Sequence, residues 1–305
     1  MHAQADVDPV YRRALAIEPL AFCRGCHAPE ASPLTDAPAH LSQIGVSCVT
    51  CHVTGAGTDG AVLAGAAPDP AFARPGVAPH PVRRDEKFTT PAACATCHEF
   101  NFPDSKLRRT PERMQSTVSE HAASPASQVA CARCHMPAAD GPSGRHKSHV
   151  FAASRDPAML RAAVTARAER TAPTRISITL TPAGVGHAFP TGDLFRRLVV
   201  SAEAVGDDWA VVGEGSRPLN RRFRLTQLAP GYLGRVLVGD DRVGVGPTSV
   251  VELDLGDAAR GRTLAWRVEY QRVEHPVGTD ESGGSVVADT TLITSGVLPA
   301  SPGVP

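Results

Sequence analysis

The chain has 305 residues with 31 basic and 31 acidic side chains, so its formal charge is +0 and it offers no cationic surplus for nucleic acid. Aromatic residues make up only 5%, thin for a conventional core of this length. No apolar run reaches the roughly 18 residues of a membrane-spanning helix, and the opening MHAQADVDP lacks the apolar stretch of a secretion signal.

In chain order, Asp8-Pro9 reads as an N-cap followed by proline at the first helical position, predicting a helix towards Leu20. Two short motifs follow, CRGCH from Cys23 to His27 and CVTCH from Cys48 to His52. From Gly55 to Pro81 the chain is Gly, Ala and Pro with little periodicity, which predicts a loop. A third motif, CATCH, runs from Cys94 to His98. Thr110-Pro111-Glu112 repeats the helix-start signal and predicts a helix ending near Ser124-Pro125. The fourth motif, CARCH, runs from Cys131 to His135, and Asp156-Pro157 opens a further predicted helix from Ala158 to about Arg170. After Thr171 the texture changes to alternating, β-branched runs: Arg175 to Leu180, Leu198 to Ser201, Phe223 to Leu225, Val250 to Leu255 and Leu264 to Val273. Gly, Asp and Pro turns separate them, the pattern of an antiparallel sandwich. The reading is α+β: an irregular, helical unit over residues 1–171 followed by a β-sandwich over 172–305.

All 8 cysteines fall in Cys-x-x-Cys-His units: Cys23 and Cys26, Cys48 and Cys51, Cys94 and Cys97, Cys131 and Cys134. Two thiols at that spacing add to the two vinyl groups of one porphyrin, and the next residue sets its imidazole under the iron. Paired Cys-x-x-Cys units also build zinc tetrahedra, but zinc does not require a histidine directly after each pair. With 12 histidines in 305 residues, four such hits by chance run to about one in a million. The motifs therefore predict four covalently attached haems c, with His27, His52, His98 and His135 as proximal ligands. The porphyrins would supply the apolar bulk that the first half lacks, and the Gly55–Pro81 loop would wrap over haem.

Eight further histidines are available for the opposite faces of the irons: His2, His40, His80, His121, His146, His149, His187 and His275. Met114, Met136 and Met159 are alternative donors that would raise the potentials. His2 and His275 are expected at the surface. His80, in APHPVRRDEKF, lies shortly before the third motif.

The passages HLSQIGVSCVTCH (His40 to His52) and HAASPASQVACARCHMP (His121 to Pro137) resemble multihaem cytochromes related to the tetrahaem cytochromes of nitrifiers, pentahaem nitrite reductase and octahaem hydroxylamine oxidoreductase. In that group a histidine eight to ten residues before a haem motif commonly ligates a neighbouring haem, which implies that role for His40 and His121. SHVFAASRDPAML (Ser148 to Leu160) resembles a segment whose Ser-His-x-Phe histidine reaches back to a haem, which implies His149, with His146 as its substitute. GHAFPTGD (Gly186 to Asp193) resembles a motif at the start of the β-domain whose histidine caps a haem, which implies His187, although Pro190-Thr191-Gly192 is also a good structural turn. His40, His80, His121, His149 and His187 thus compete for four irons.

The resemblance covers nearly the whole chain, but the group's catalytic apparatus is not matched. No Cys-x-x-Cys-Lys occurs, and the only tyrosines, Tyr11, Tyr232 and Tyr270, lie away from the last motif. The expected function is single-electron transfer along closely packed haems in the periplasm or outside the cell, where haem c is attached. Expected partners are redox proteins, such as other cytochromes or a membrane quinol oxidase. Two other readings stay open. One is a haem enzyme with an open iron for a small nitrogen oxide or oxyanion, and the other a subunit that self-assembles into a polymeric filament.

Overall fold

The computed structural model describes residues 2–17, 19–31, 44–53, 61–65, 81–103, 109–141, 144–274 and 286–300. The architecture is α+β, with short helices concentrated in the first half and long antiparallel strands in the second. Helix Pro9–Ile17 starts as predicted, with the Asp8 carboxylate accepting from Val10 N at 2.9 Å. Helix Pro157–Ala162 is capped by Asp156, whose carboxylate accepts from the backbone of Ala158 and Met159.

Small two-stranded pairs brace the first half. β1 (Val62–Ala64) pairs in parallel with β2 (Val82–Arg84), so the predicted Gly/Ala/Pro loop carries a strand. β3 (Glu99–Pro103) pairs with β4 (Arg109–Ser116), and β5 (Ala138–Gly141) with β6 (Gly144–Lys147).

The second half holds two larger sheets. β10 (Val211–Leu219), β9 (Arg196–Val205), β14 (Thr263–Val273) and β15 (Val287–Leu298) form a four-stranded sheet in that order. β13 (Ser249–Asp254), β8 (Arg175–Pro182) and β7 (Val164–Ala172) form a three-stranded one. Both contribute to one core. Ile176, Ile178 and Leu180 point inward from β8, with Val251 and Leu253 from β13. Leu198, Val200, Ala202 and Ala204 face them from β9, with Leu264, Trp266, Val268 and Tyr270 from β14. Each fully buried Leu, Ile or Val contributes about 1.5–3 kcal/mol, so among the described residues this core is the main apolar store. Gly296 on β15 lies flat against Trp266, where an added Cβ would sit 2.8 Å from the indole.

Two predicted helices are corrected. Thr110-Pro111-Glu112 does not start one: residues 109–116 are strand β4, and the helix is confined to Thr117–Ala122. The Asn101 amide donates to the carbonyls of Thr110 and Pro111, and β3 buries Phe100 and Phe102. Phe102 packs edge-on against Phe223, on the hairpin of β11 (Arg221–Ala229) and β12 (Tyr232–Asp240). That burial outweighs the local start signal. Likewise the Ala158–Arg170 helix stops at Ala162, and Val164–Ala172 is strand. Its composition favours helix, but Ala166 and Ala168 alternate inward with Val164 onto the core, a period of two. The sheet therefore begins ahead of residue 172.

Candidate haem sites

Each motif folds as a short helix: Ala21–His27, Cys48–His52, Ala92–His98 and Cys131–His135. Residues at i, i+3 and i+4 share one helical face, so both thiols and the imidazole of each motif project together. All 8 cysteines are free of disulfides. The second helix is capped twice. Ser47 Oγ accepts from Val49 N, and the Glu30 carboxylate receives the backbone N–H groups of Ser47 and Thr50.

Three of the four motif imidazoles are held in the tautomer an iron needs. Nδ1–H of His27 donates to Ala5 O at 3.1 Å, that of His52 to Leu63 O at 2.6 Å, and that of His135 to Ala152 O at 2.8 Å. Outside the motifs, His149 donates to Lys147 O and His187 to Ala188 O, each at 2.9 Å. A proton fixed on Nδ1 leaves the Nε2 lone pair free to ligate. Desolvation lowers the pKa of His187, and with the charge of nearby His2 it brings His98 down to about 4, which keeps both rings neutral.

Several pairs of imidazoles lie at a characteristic separation. A metal–imidazole bond of about 2.0 Å, with the ring centre about 1.1–1.2 Å behind the nitrogen, puts two trans imidazoles about 6.2–6.4 Å apart, centre to centre. His135 and His187 are 6.2 Å apart and parallel within 8°. His52 and His149 are 6.0 Å apart at 48°, and His98 and His2 are 6.2 Å apart at 70°. Ligands on a common axis rotate freely about it, so the differing plane angles do not disturb the fit. A ring in direct face contact sits much closer, as Tyr11 does on His27 at 3.8 Å. The separations of these pairs match two imidazoles sharing one iron, and each pair includes the histidine of a Cys-x-x-Cys-His helix.

The elements that position these donors differ. The β5–β6 hairpin follows the fourth motif and turns the chain back, placing His149 at the second motif. Phe151 then adopts a left-handed backbone at φ 55° and meets His2 and His149 edge-on, at 4.3 and 5.9 Å. The next carbonyl, of Ala152, anchors His135. His187 sits beyond β8 beside Gly186, which abuts Ala126 and His121 so closely that an added Cβ would lie 2.8 Å from Ala126 Cβ. Ser124 Oγ donates to Gly186 O at 2.9 Å and fixes this approach.

His2 is not a surface residue. Residues 2–4 form a single 3-10 turn against Gly45 and Val46, and the ring is half-buried beside His98 and Phe151. No local pattern marked it, because its partners are distant in sequence. His121 is buried, its Nδ1 has no hydrogen-bond partner, and among the described residues no ring contact joins it to a motif histidine. His146 lies exposed on β6. His40, His80 and His275 lie outside the described residues.

The motifs also meet one another. Cys97 lies within hydrogen-bonding reach of Cys26, and Cys94 within reach of Cys131. Cys51 lies near enough to Cys97 to feel its charge. The third motif therefore meets the first and the fourth, and the second lies within electrostatic range of it.

Among the described residues no helix is long and apolar enough to cross a membrane. No family model matches the chain, and no curated protein sequence does. Among solved structures, the chain is similar to a pentahaem cytochrome c552 from Thermochromatium tepidum, at 20% identity and a TM-score of 0.66. The match covers 98% of this chain and 93% of that one. At that identity the likeness is one of fold: nearly the whole chain is built on the fold of a multihaem c-type cytochrome.

Proposed function

We propose that the chain is a tetrahaem c-type cytochrome that passes single electrons along closely packed haems, in the periplasm or outside the cell. The observation that carries this reading is the convergence of the four Cys-x-x-Cys-His helices, with cysteines of the third motif within hydrogen-bonding reach of cysteines of the first and fourth, and Cys51 of the second within electrostatic range. Haems anchored at such points lie close together, the requirement for transfer between them. When bound, each haem supplies an iron that alternates between ferric and ferrous. The chain's own residues hold it: two cysteines by thioether bonds, a proximal imidazole, and across the iron His149 for the second motif and His187 for the fourth. Paired imidazoles favour low potentials. Docking of other cytochromes or a membrane oxidoreductase would deliver and remove the electrons.

The test is the covalent haem count. Matured in a host with cytochrome c assembly machinery, the chain should weigh its polypeptide plus four haems, none extractable by acidified acetone. Replacing Cys94 and Cys97 together by alanine should remove one. A count below four in the wild type would overturn the tetrahaem reading.

We read the chain further as two units, the second a β-sandwich made of the two sheets that share one core. We draw the boundary at Ala163, because β7 belongs to the smaller sheet. A fragment from Val164 onward should be soluble, haem-free and strand-rich by circular dichroism. An unfolded fragment would mean that the sheets depend on the first half.

A further inference from the structure

We propose that His2 is the distal axial ligand of the haem carried by Cys94 and Cys97. This rests on the tetrahaem reading above and adds to it a ligand from the chain's first turn. The His2 and His98 ring centres are 6.2 Å apart, the separation of two imidazoles trans across a metal. The 70° between their planes is allowed by rotation about that axis.

The surroundings hold His2 in place from several directions. Its carbonyl accepts from Ala5 N at 3.0 Å and from Val46 N at 2.9 Å, while Ala3 O accepts from Gly45 N at 3.1 Å. Gly45 permits this close docking, since an added Cβ would lie 2.4 Å from His2 O. The Phe151 ring stands edge-on to His2 at 4.3 Å, from a backbone in the left-handed region that a bulky residue rarely occupies. Such a conformation persists only where its neighbours demand it, and here they are the imidazoles of His2 and His149. Farther along, Asp8 binds Arg155 and lies 3.5 Å from Arg272, and Arg13 pairs with Glu274 at 2.7 Å. The first turn is therefore tied to the segment before the second motif, and the helix that follows it to the segment after the fourth motif and to the large sheet. A ligand on it would close the third haem, the one whose motif meets the first and the fourth.

The experiment uses the full holoprotein, exported and matured, with haem counted by mass and spin state read by low-temperature EPR. His2→Ala should keep all four haems, because thioether bonds do not depend on the distal ligand. One low-spin ferric signal should be replaced by a high-spin one, and added imidazole should restore it. The same substitution made with Cys94 and Cys97 both changed to alanine should produce no new high-spin haem, which assigns the effect to the third site. Should His2→Ala fail to accumulate, His2→Met keeps a donor there. It should stay low-spin, gain a methionine–iron charge-transfer band and raise one potential. Four attached haems with unchanged spectra in His2→Ala, or no such band in His2→Met, would overturn the role of His2 and leave the tetrahaem reading standing. Fewer than four haems in the wild type would instead remove that reading itself.

Discussion

Arg242→Ala should lower the unfolding free energy by about 3–5 kcal/mol, the range for breaking one partner out of a buried ion pair. Arg242 is 4% exposed and lies at the junction between the first half and the large sheets. Its guanidinium reaches Glu120 at 2.9 Å and Asp240 at 2.8 Å, and donates to Pro190 O at 3.1 Å. Glu120 belongs to the short helix Thr117–Ala122 and also receives the hydroxyls of Ser116 and Thr191, each at 2.6 Å. Arg221 makes a second crossing, donating to Met114 O and to Gly192 O. Removing the Arg242 cation strands Glu120 and Asp240 together in a poorly hydrated place, so the loss exceeds that of an exposed pair. Arg242→Lys should recover only part of it, since an ammonium cannot fork to two carboxylates and a carbonyl. Urea unfolding followed by circular dichroism checks this, and a loss under about 1 kcal/mol would show that the junction is held elsewhere.

The same pair gives stability a pH dependence with a defined sign. Burial alone would raise the Glu120 pKa, but Arg242 and the Ser116 and Thr191 hydroxyls outweigh it, and the net shift is downward. An unfolded Glu titrates near about 4.3. A folded value below that means the contribution is fully present above the unfolded value and is lost as pH falls through the folded one. The wild type should therefore lose stability on acidification below about pH 4, and Arg242→Ala, with no cation left to hold Glu120 ionised, should show a flatter acid limb.

What was legible in the sequence follows the range of the forces involved. The Cys-x-x-Cys-His units are local chemistry, and their spacing alone marks two thiols and an imidazole as one set; that each folds as a short helix is seen in the structure. The alternating runs after residue 172 all appear, inside β8, β9, β11, β13 and β14; those of β8, β9, β13 and β14 carry an inward-facing period onto the core, whereas β11 leaves Leu225 exposed. β10, β12 and β15 were not read. Their alternation is diluted by Gly213, Gly215, Gly234 and the threonines of β15, and much of each strand is exposed. Residues 109–116 and 164–172 carry helix signals that lost to packing against β3 and the core. The histidines divide in the same way. His149 and His187 stand in segments that resemble known haem-capping segments. His2 has no such context, and only the return of the first turn onto Gly45 and Val46 brings it to His98.

His187→Ala is the substitution with the largest expected effect on a haem, because among the described residues it is the histidine that would join the sheets to an iron. Its ring is parallel to that of His135 within 8° at 6.2 Å, and its Nδ1–H is committed to Ala188 O. The remaining Nε2 is the free donor. Gly186 holds the turn against Ala126 and His121, and the Arg242–Glu120 junction holds the same turn through Thr191 and Pro190. The donor is therefore rigid, and its loss is not made good by a neighbouring side chain sliding in. All four haems should remain attached in the variant. The haem at Cys131 and Cys134 should become high-spin, and its potential should rise on the order of 0.1 V within the roughly 0.8 V range that axial ligands command. Carbon monoxide should bind the reduced variant at one new site. His187→Ala should also weaken the hold between the sheets and the first half, because a link through iron is added to the ionic ones. The readouts separate the possible roles of His187. A ligand changes spin state, potential and carbon monoxide binding together, whereas a turn residue lowers only the unfolding temperature. An EPR spectrum indistinguishable from the wild type, with four haems attached, would assign His187 to the turn and leave the distal face of the fourth haem to another donor, with buried His121, whose Nδ1 has no hydrogen-bond partner and whose ring lies beside Gly186, the imidazole to examine next.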